Sequence, residues 1–129
     1  ATGVTYNGVR VYNMFGIGAY DSDAVGTGSK KAYTEGWTTP ELAIYGGAEW
    51  ISKNYINSSK YRQNTLYKMR WNPDNPGNHL YAGDIAWAVT QSTILERLFA
   101  QIGGATIHYE IPVYAGEVAP VIDGMTIRR

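Results

Sequence analysis

The sequence predicts a mainly helical α+β domain, and three observations carry that reading. Two stretches repeat apolar residues at helical spacing, each with a start signal in front of it. A glycine-rich, aromatic lead precedes both, and a short alternating run follows them. At 129 residues the chain suits one domain that buries roughly two thirds of its unfolded surface.

The elements follow in order. In "GVTYNGVRVYN" the pair Asn7-Gly8 is a two-residue turn signal between short strands, so a hairpin is expected. From there to Trp37 the chain reads as loops and two or three short strands. Within that lead, "VYNMFGIGAYDSD" sets Asn13, Asp21 and Asp23 among Tyr12, Phe15 and Tyr20, on a backbone loosened by Gly16 and Gly18. Aromatic faces beside amides and carboxylates suit a sugar-binding cleft and a packed irregular loop equally well.

The first long helix starts at "TTPEL", with Thr38 or Thr39 as N-cap, Pro40 in the first turn and Glu41 as capping-box acid. Ile44, Ala48, Ile51 and Tyr55 form its apolar stripe, and Asn57 and Ser58 end it. Gly46 and Gly47 weaken this helix by up to about 1 kcal/mol each relative to Ala, which points to close packing there. A short helix is expected around Thr65 to Met69, and "NPDNPGN" excludes regular structure after it. In the second long helix Ile85, Ala88, Ser92, Leu95, Phe99 and Ile102 repeat at three and four, extended backwards by Tyr81. Asp84 is its natural N-cap and Gly103-Gly104 its stop. "TIHYEIPVY" alternates Ile107, Tyr109, Ile111 and Val113 against His108 and Glu110, a strand that Pro112 places at an edge.

Composition narrows the function. Eleven basic and eleven acidic residues cancel, with no like-charge run, so nucleic acid is not an expected partner. No segment is apolar for long enough to span a membrane. Cysteine is absent, which removes disulfides and thiol chemistry. His79 and His108 have no spaced partner, so no metal site is expected, and no serine sits in a nucleophile elbow. Eleven tyrosines and four tryptophans against two phenylalanines favour wet, aromatic-lined surfaces.

Carboxylates are the remaining chemistry. Glycoside cleavage needs a protonated acid for the leaving oxygen and an anion or base near the developing oxocarbenium ion. Asp84 at a helix start suits the anion, or simply caps its helix. Asp21 and Asp23 offer a second anion, or make turns. No glutamate falls in a legible apolar pocket, so the sequence does not display the proton donor.

Four blocks occur together and in order: "YNMFGIGAYDSD", "GWTTPELAIYGGAEWIS", "QNTLYKMRWNP" and "HLYAGDIAWA". They closely resemble the endo-β-N-acetylglucosaminidase domain of bacterial autolysins, glycoside hydrolase family 73. The likeness covers residues 1–114 and leaves 115–129 as a tail of unknown role. It implies a lysozyme-like fold with a helical core, a small β-containing lobe and a groove for the glycan. It implies a secreted or cell-wall-associated peptidoglycan hydrolase that cuts glycan strands after N-acetylglucosamine, without a cofactor. A non-catalytic cell-wall glycan-binding or assembly module is the alternative, followed by a lytic transglycosylase.

The resemblance also distributes roles. Tyr81 and Asp84 match the family's "YATD", here "YAGD", and are implied to assist catalysis. Asp21 and Asp23 lie where members place a second acidic residue. Tyr12, Asn13 and Phe15 match "YNxFGI", while Tyr67, Arg70, Trp71 and Asn72 match "LYKMRWN". Both blocks are implied to bind substrate, with Trp71 and Tyr12 the candidates for sugar stacking. In the family the general-acid glutamate lies in an "ALETG"-like helix shortly before an "A-x-GV" segment, and this chain opens "ATGV". The expectation is an acid supplied by an upstream segment or a second chain, and weak or no hydrolysis by these residues alone.

Overall fold

The structure is a computed structural model that describes residues 2–104, 106, 107 and 109–117. The chain divides into two compact units, Ala1–Asn64 and Thr65–Arg129.

The first unit opens with the expected hairpin. Strands β1 (Val4–Tyr6) and β2 (Val9–Val11) pair antiparallel, Val4 opposite Val11 and Tyr6 opposite Val9. Asn7 and Gly8 both take positive φ, 48° and 75°, the conformation a type I′ turn demands and that Asn-Gly supplies at least strain.

Helix α1 (Ala24–Thr34) then replaces the loops and strands expected before Trp37. Its sequence, AVGTGSKKAYT, carries two glycines and no large apolar stripe, so periodicity does not reveal it. Its buried face is made of small residues, Gly28, Ser29 and Ala32. A Cβ on Gly28 would stand 3.3 Å from the Ala19 methyl and 3.4 Å from the Asn13 amide nitrogen, so the loop lies directly on the helix backbone. The available start signal is Asp23, whose carboxylate accepts from Gly26 N at 3.0 Å.

Helix α2 (Pro40–Ile51) begins where expected, with Thr39 Oγ1 accepting from Leu42 N at 3.2 Å and Pro40 in the first turn. Such a cap is worth about 1 kcal/mol. It runs on into a π-helical segment, Ser52–Ile56, that ends at Asn57. The buried face is Ala43, Gly47, Ile51 and Tyr55. Ile44 and Ala48, expected on that face, are exposed. Side-chain size misleads here: the rings of Trp37 and Phe15 lie directly over Gly46 and Gly47, so the glycines are the packed positions. The core of this unit is Val11, Ile17, Ala32, Trp37, Ala43, Ile51 and Tyr55.

In the second unit, α3 (Leu66–Trp71) starts at Thr65, whose hydroxyl accepts from Lys68 N at 3.1 Å. Asn72 closes it in the left-handed region at φ 44°. Turns follow through "NPDNPGN", as the two prolines require.

Helix α4 (Trp87–Gln101) starts two residues later than an N-cap at Asp84 allows. The Asp84 carboxylate accepts from Ala86 N at 3.0 Å, and its carbonyl from Trp87 N at 3.2 Å, so it opens a turn in front of the helix. The stripe along α4 is real but poorly covered: Ala88 and Leu95 are half-buried, while Ile85, Phe99 and Ile102 are exposed. Its contacts run to α3, which at about 9 Å cannot cover a helix of about 22 Å.

The strand expected over 106–114 does not form among its described residues, and His108 lies outside them. Alternation alone does not make a strand, which needs a ladder partner, and β1 and β2 pair with each other. Side chains hold this segment instead. Tyr114 Oη meets Tyr67 Oη at 2.7 Å, and Glu110 pairs with Lys68 at 2.5 Å.

Candidate functional site

The first unit gathers Tyr12, Asn13, Phe15, Asp21 and Asp23 in one loop between β2 and α1. Tyr12 leaves the hairpin with its N–H on Trp37 O at 2.9 Å. The Asn13 side chain is fully engaged by backbone. Its Nδ2 donates to Ile17 O at 2.8 Å and Gly28 O at 3.1 Å, and its Oδ1 accepts from Ile17 N at 3.1 Å. One amide thereby closes the 13–17 turn and ties it to α1. Ile17 is 3% exposed beneath it.

Phe15 lies over Gly47 with its other edge open to solvent. Asp23 caps α1, and its carbonyl also accepts from Thr27 Oγ1 at 2.7 Å. Asp21 is exposed in the turn before it. A pocket of about 240 Å³ opens beside this loop, lined by Gly3, Val11, Tyr12, Asn13, Val25 and Ser29 among others.

The second unit gathers Tyr67, Arg70, Trp71, Asn72, Tyr81 and Asp84 around α3 and the chain that leads into α4. Arg70 is 5% exposed. Its Nε donates to Asp84 O at 2.7 Å, its Nη2 donates to Gly83 O at 3.0 Å, and its guanidinium lies 4.0 Å from the centre of the half-open Trp71 ring. Asn72 is 1% exposed and donates to Asn78 O at 2.7 Å, fixing the proline-rich turns. Tyr81 N donates to Met69 O at 2.9 Å, and the Tyr81 ring sits 5.1 Å from that of Trp87. Asp84 keeps its carboxylate exposed, with one oxygen on Ala86 N.

Every described aspartate and glutamate is exposed. The general acid of a glycoside hydrolase sits in an apolar pocket, and no described carboxylate occupies one. Among the described residues no cluster of three His, Asp or Glu is placed to hold a metal ion, and no helix is long and apolar enough to cross a membrane.

The sequence reads Tyr114 as part of a strand, and no signal in it joins Tyr114 to Tyr67. The hydrogen bond to Tyr114, followed by burial and the charge of the neighbouring phenol, holds the Tyr67 phenol above the ordinary tyrosine range. A raised folded value means that the protonated form supports the contact. The contact is therefore complete below the ordinary value of about 10 and is lost as pH rises through the raised one. Tyr114→Phe is expected to lower the Tyr67 titration toward the ordinary range, with burial alone still raising it, and to quicken amide exchange over 109–117. An unchanged ultraviolet titration would contradict the assignment.

Comparison with known proteins decides the kinship. The chain is 49% identical over 114 residues to a β-N-acetylglucosaminidase of Bacillus subtilis (strain 168), covering 88% of this chain and 13% of that protein. It is 46% identical over 110 residues to a bifunctional autolysin of Staphylococcus epidermidis, covering 85% of this chain and 8% of the other. The chain is a relative of the autolysin glucosaminidases. Among solved structures, a catalytic glutamate-to-alanine mutant of Staphylococcus aureus autolysin E in complex with the disaccharide NAG-NAM aligns with a TM-score of 0.68 at 45% identity. That alignment covers 80% of this chain and 45% of autolysin E. No family model matches.

Like the autolysin glucosaminidases, the chain is mainly helical with a small β-containing lobe, the lysozyme-like class. It spans only 13% and 8% of the length of the two curated relatives.

Proposed function

We propose that residues 1–114 form the greater part of a secreted or cell-wall-associated peptidoglycan hydrolase domain that cleaves glycan strands after N-acetylglucosamine. The observation that carries this reading is the 45% identity, at a TM-score of 0.68, to an autolysin solved with NAG-NAM. The bond to the next sugar is protonated by a glutamate from outside the described residues, because each described carboxylate is solvated. Asp84 presents a fixed, exposed carboxylate that stabilises positive charge on the sugar ring or orients water. Tyr81 stands three residues before it, its backbone fixed by Met69 O. Asp21 provides a second anion more readily than Asp23, whose carboxylate is engaged in capping.

Tyr12, Phe15, Tyr67 and Trp71 offer aromatic surface to the glycan strand. A second reading, a glycan-binding module without catalysis, draws on the same absence of a buried carboxylate among the described residues.

The test compares this chain with a form extended upstream by a glutamate-bearing helix, on purified peptidoglycan. The extended form is expected to release reducing ends about 10²–10⁴ times faster, the usual worth of general acid catalysis. Equal rates would sink the assignment of the acid to a segment outside these residues. Sedimentation with the glycan but no release by either form favours the binding module.

A further inference from the structure

Arg70 stands out in the second unit because its chemistry is turned inward. It is an arginine at 5% exposure, and among the described residues neither of the two ion pairs involves it. Burying a guanidinium without a carboxylate is costly, so its hydrogen bonds must justify the position. They go to two consecutive backbone carbonyls, Gly83 O at 3.0 Å and Asp84 O at 2.7 Å. The planar fork matches two neighbouring oxygens, which a lysine ammonium cannot do. Trp71 backs the guanidinium at 4.0 Å and fixes its plane.

The rest of the surroundings serve the same end. Tyr81 N is held by Met69 O at 2.9 Å, and the Asp84 carboxylate by Ala86 N at 3.0 Å. Residues 81–84 are thus pinned at both ends to consecutive residues of α3, Met69 and Arg70. The Tyr81 ring packs on Trp87 at one end of the stretch. A Cβ added at Gly83 would meet nothing within 4 Å, so at Gly83 and Asp84 the backbone is held by the Arg70 hydrogen bonds.

We propose that Arg70 is a positioning residue: it sets the backbone of Gly83 and Asp84, and so the Asp84 carboxylate, without touching the glycan. This rests on the hydrolase reading above, and it replaces the substrate contact that the resemblance implies for Arg70. The consequence is kinetic. A reacting group displaced by about 1 Å can cost about 10²-fold in rate, whereas a lost sugar contact raises KM and leaves kcat alone.

The experiment uses Arg70→Lys and Arg70→Gln in the hydrolysing form, with kcat and KM on soluble glycan fragments and amide exchange over 81–87. Arg70→Lys is expected to lower kcat by about 10–10²-fold, with KM changed by no more than roughly twofold. Exchange at Ala86 and Trp87 quickens while the Ala1–Asn64 unit is unaffected. Arg70→Gln keeps a planar donor for one carbonyl and is expected to fall between Lys and wild type. A raised KM at unchanged kcat would overturn the proposal in favour of direct glycan contact. Wild-type kcat and exchange in both variants would overturn it outright, and fast exchange throughout the second unit would reassign Arg70 to general core stability. If the unsubstituted protein releases no reducing ends, the hydrolase reading fails, and local exchange at 81–87 still decides whether Arg70 holds this segment.

Discussion

Asp84→Asn is expected to reduce glycan cleavage by about 10²–10⁴-fold, the range for loss of a group acting on the proton or charge of the transition state. The substitution is nearly isosteric. An amide oxygen at that position still accepts from Ala86 N, now at 3.0 Å from Oδ1, so the turn into α4 is retained. Only the charge disappears. Binding to insoluble peptidoglycan should therefore persist while kcat falls, and unfolding should be little altered. If Asp84 merely opened the turn, Asn would serve as well, and rates would stay at the wild-type level. Measuring kcat and chemical unfolding on the same variant separates the two roles.

The second large effect is on stability and concerns Asn13. Asn13→Leu removes three hydrogen bonds at once. Gly28 C=O keeps its bond within α1, while Ile17 N–H and Ile17 C=O are left without their amide partner. Each buried polar group so orphaned costs about 1–3 kcal/mol. The expected loss for the Ala1–Asn64 unit is about 2–5 kcal/mol, toward the upper end for a single substitution.

Asn13→Asp is the sharper control. It keeps the acceptor for Ile17 N–H and turns a two-proton donor into a carboxylate facing two carbonyls, so it should be about as damaging as leucine. Should Asn13 instead serve chiefly to hold sugar, both variants would lose peptidoglycan binding at unchanged stability. Denaturant unfolding followed through Trp37 and Trp50 fluorescence reads the difference.

These two residues show how far the sequence can be read. Features governed by neighbours in the chain are legible: the Asn7-Gly8 turn, the Thr39-Pro40 start of α2, the short α3 and the turns of "NPDNPGN". Features governed by distant contacts are not. Helix α1 has a face of glycine, serine and alanine whose significance depends on the 13–19 loop lying against it. The buried side of α2 is set by two rings resting on glycines, not by its largest apolar residues. The alternation of "TIHYEIPVY" finds no strand to join among the described residues, and Tyr114 and Glu110 are tied to Tyr67 and Lys68 instead.

The candidate site divides in the same way. Resemblance marks Asn13, Arg70 and Asn72 for substrate, because a motif records which residues recur and not what they touch. In the structure all three spend side-chain hydrogen bonds on backbone carbonyls. Asp84, Trp71, Phe15 and Tyr67 keep accessible surface. Asp23 is legible as an anion in an aromatic loop, but its capping bond becomes visible only once α1 is known.

The most direct test of the hydrolase assignment is the identity of the sugar at new chain ends. Purified peptidoglycan is incubated with this chain and with the form extended upstream by a glutamate-bearing helix, and the products are reduced and analysed by mass spectrometry. New reducing ends bearing N-acetylglucosamine are expected. Anhydro ends would identify a transglycosylase, muramic acid ends a different bond specificity, and either result would contradict the assignment.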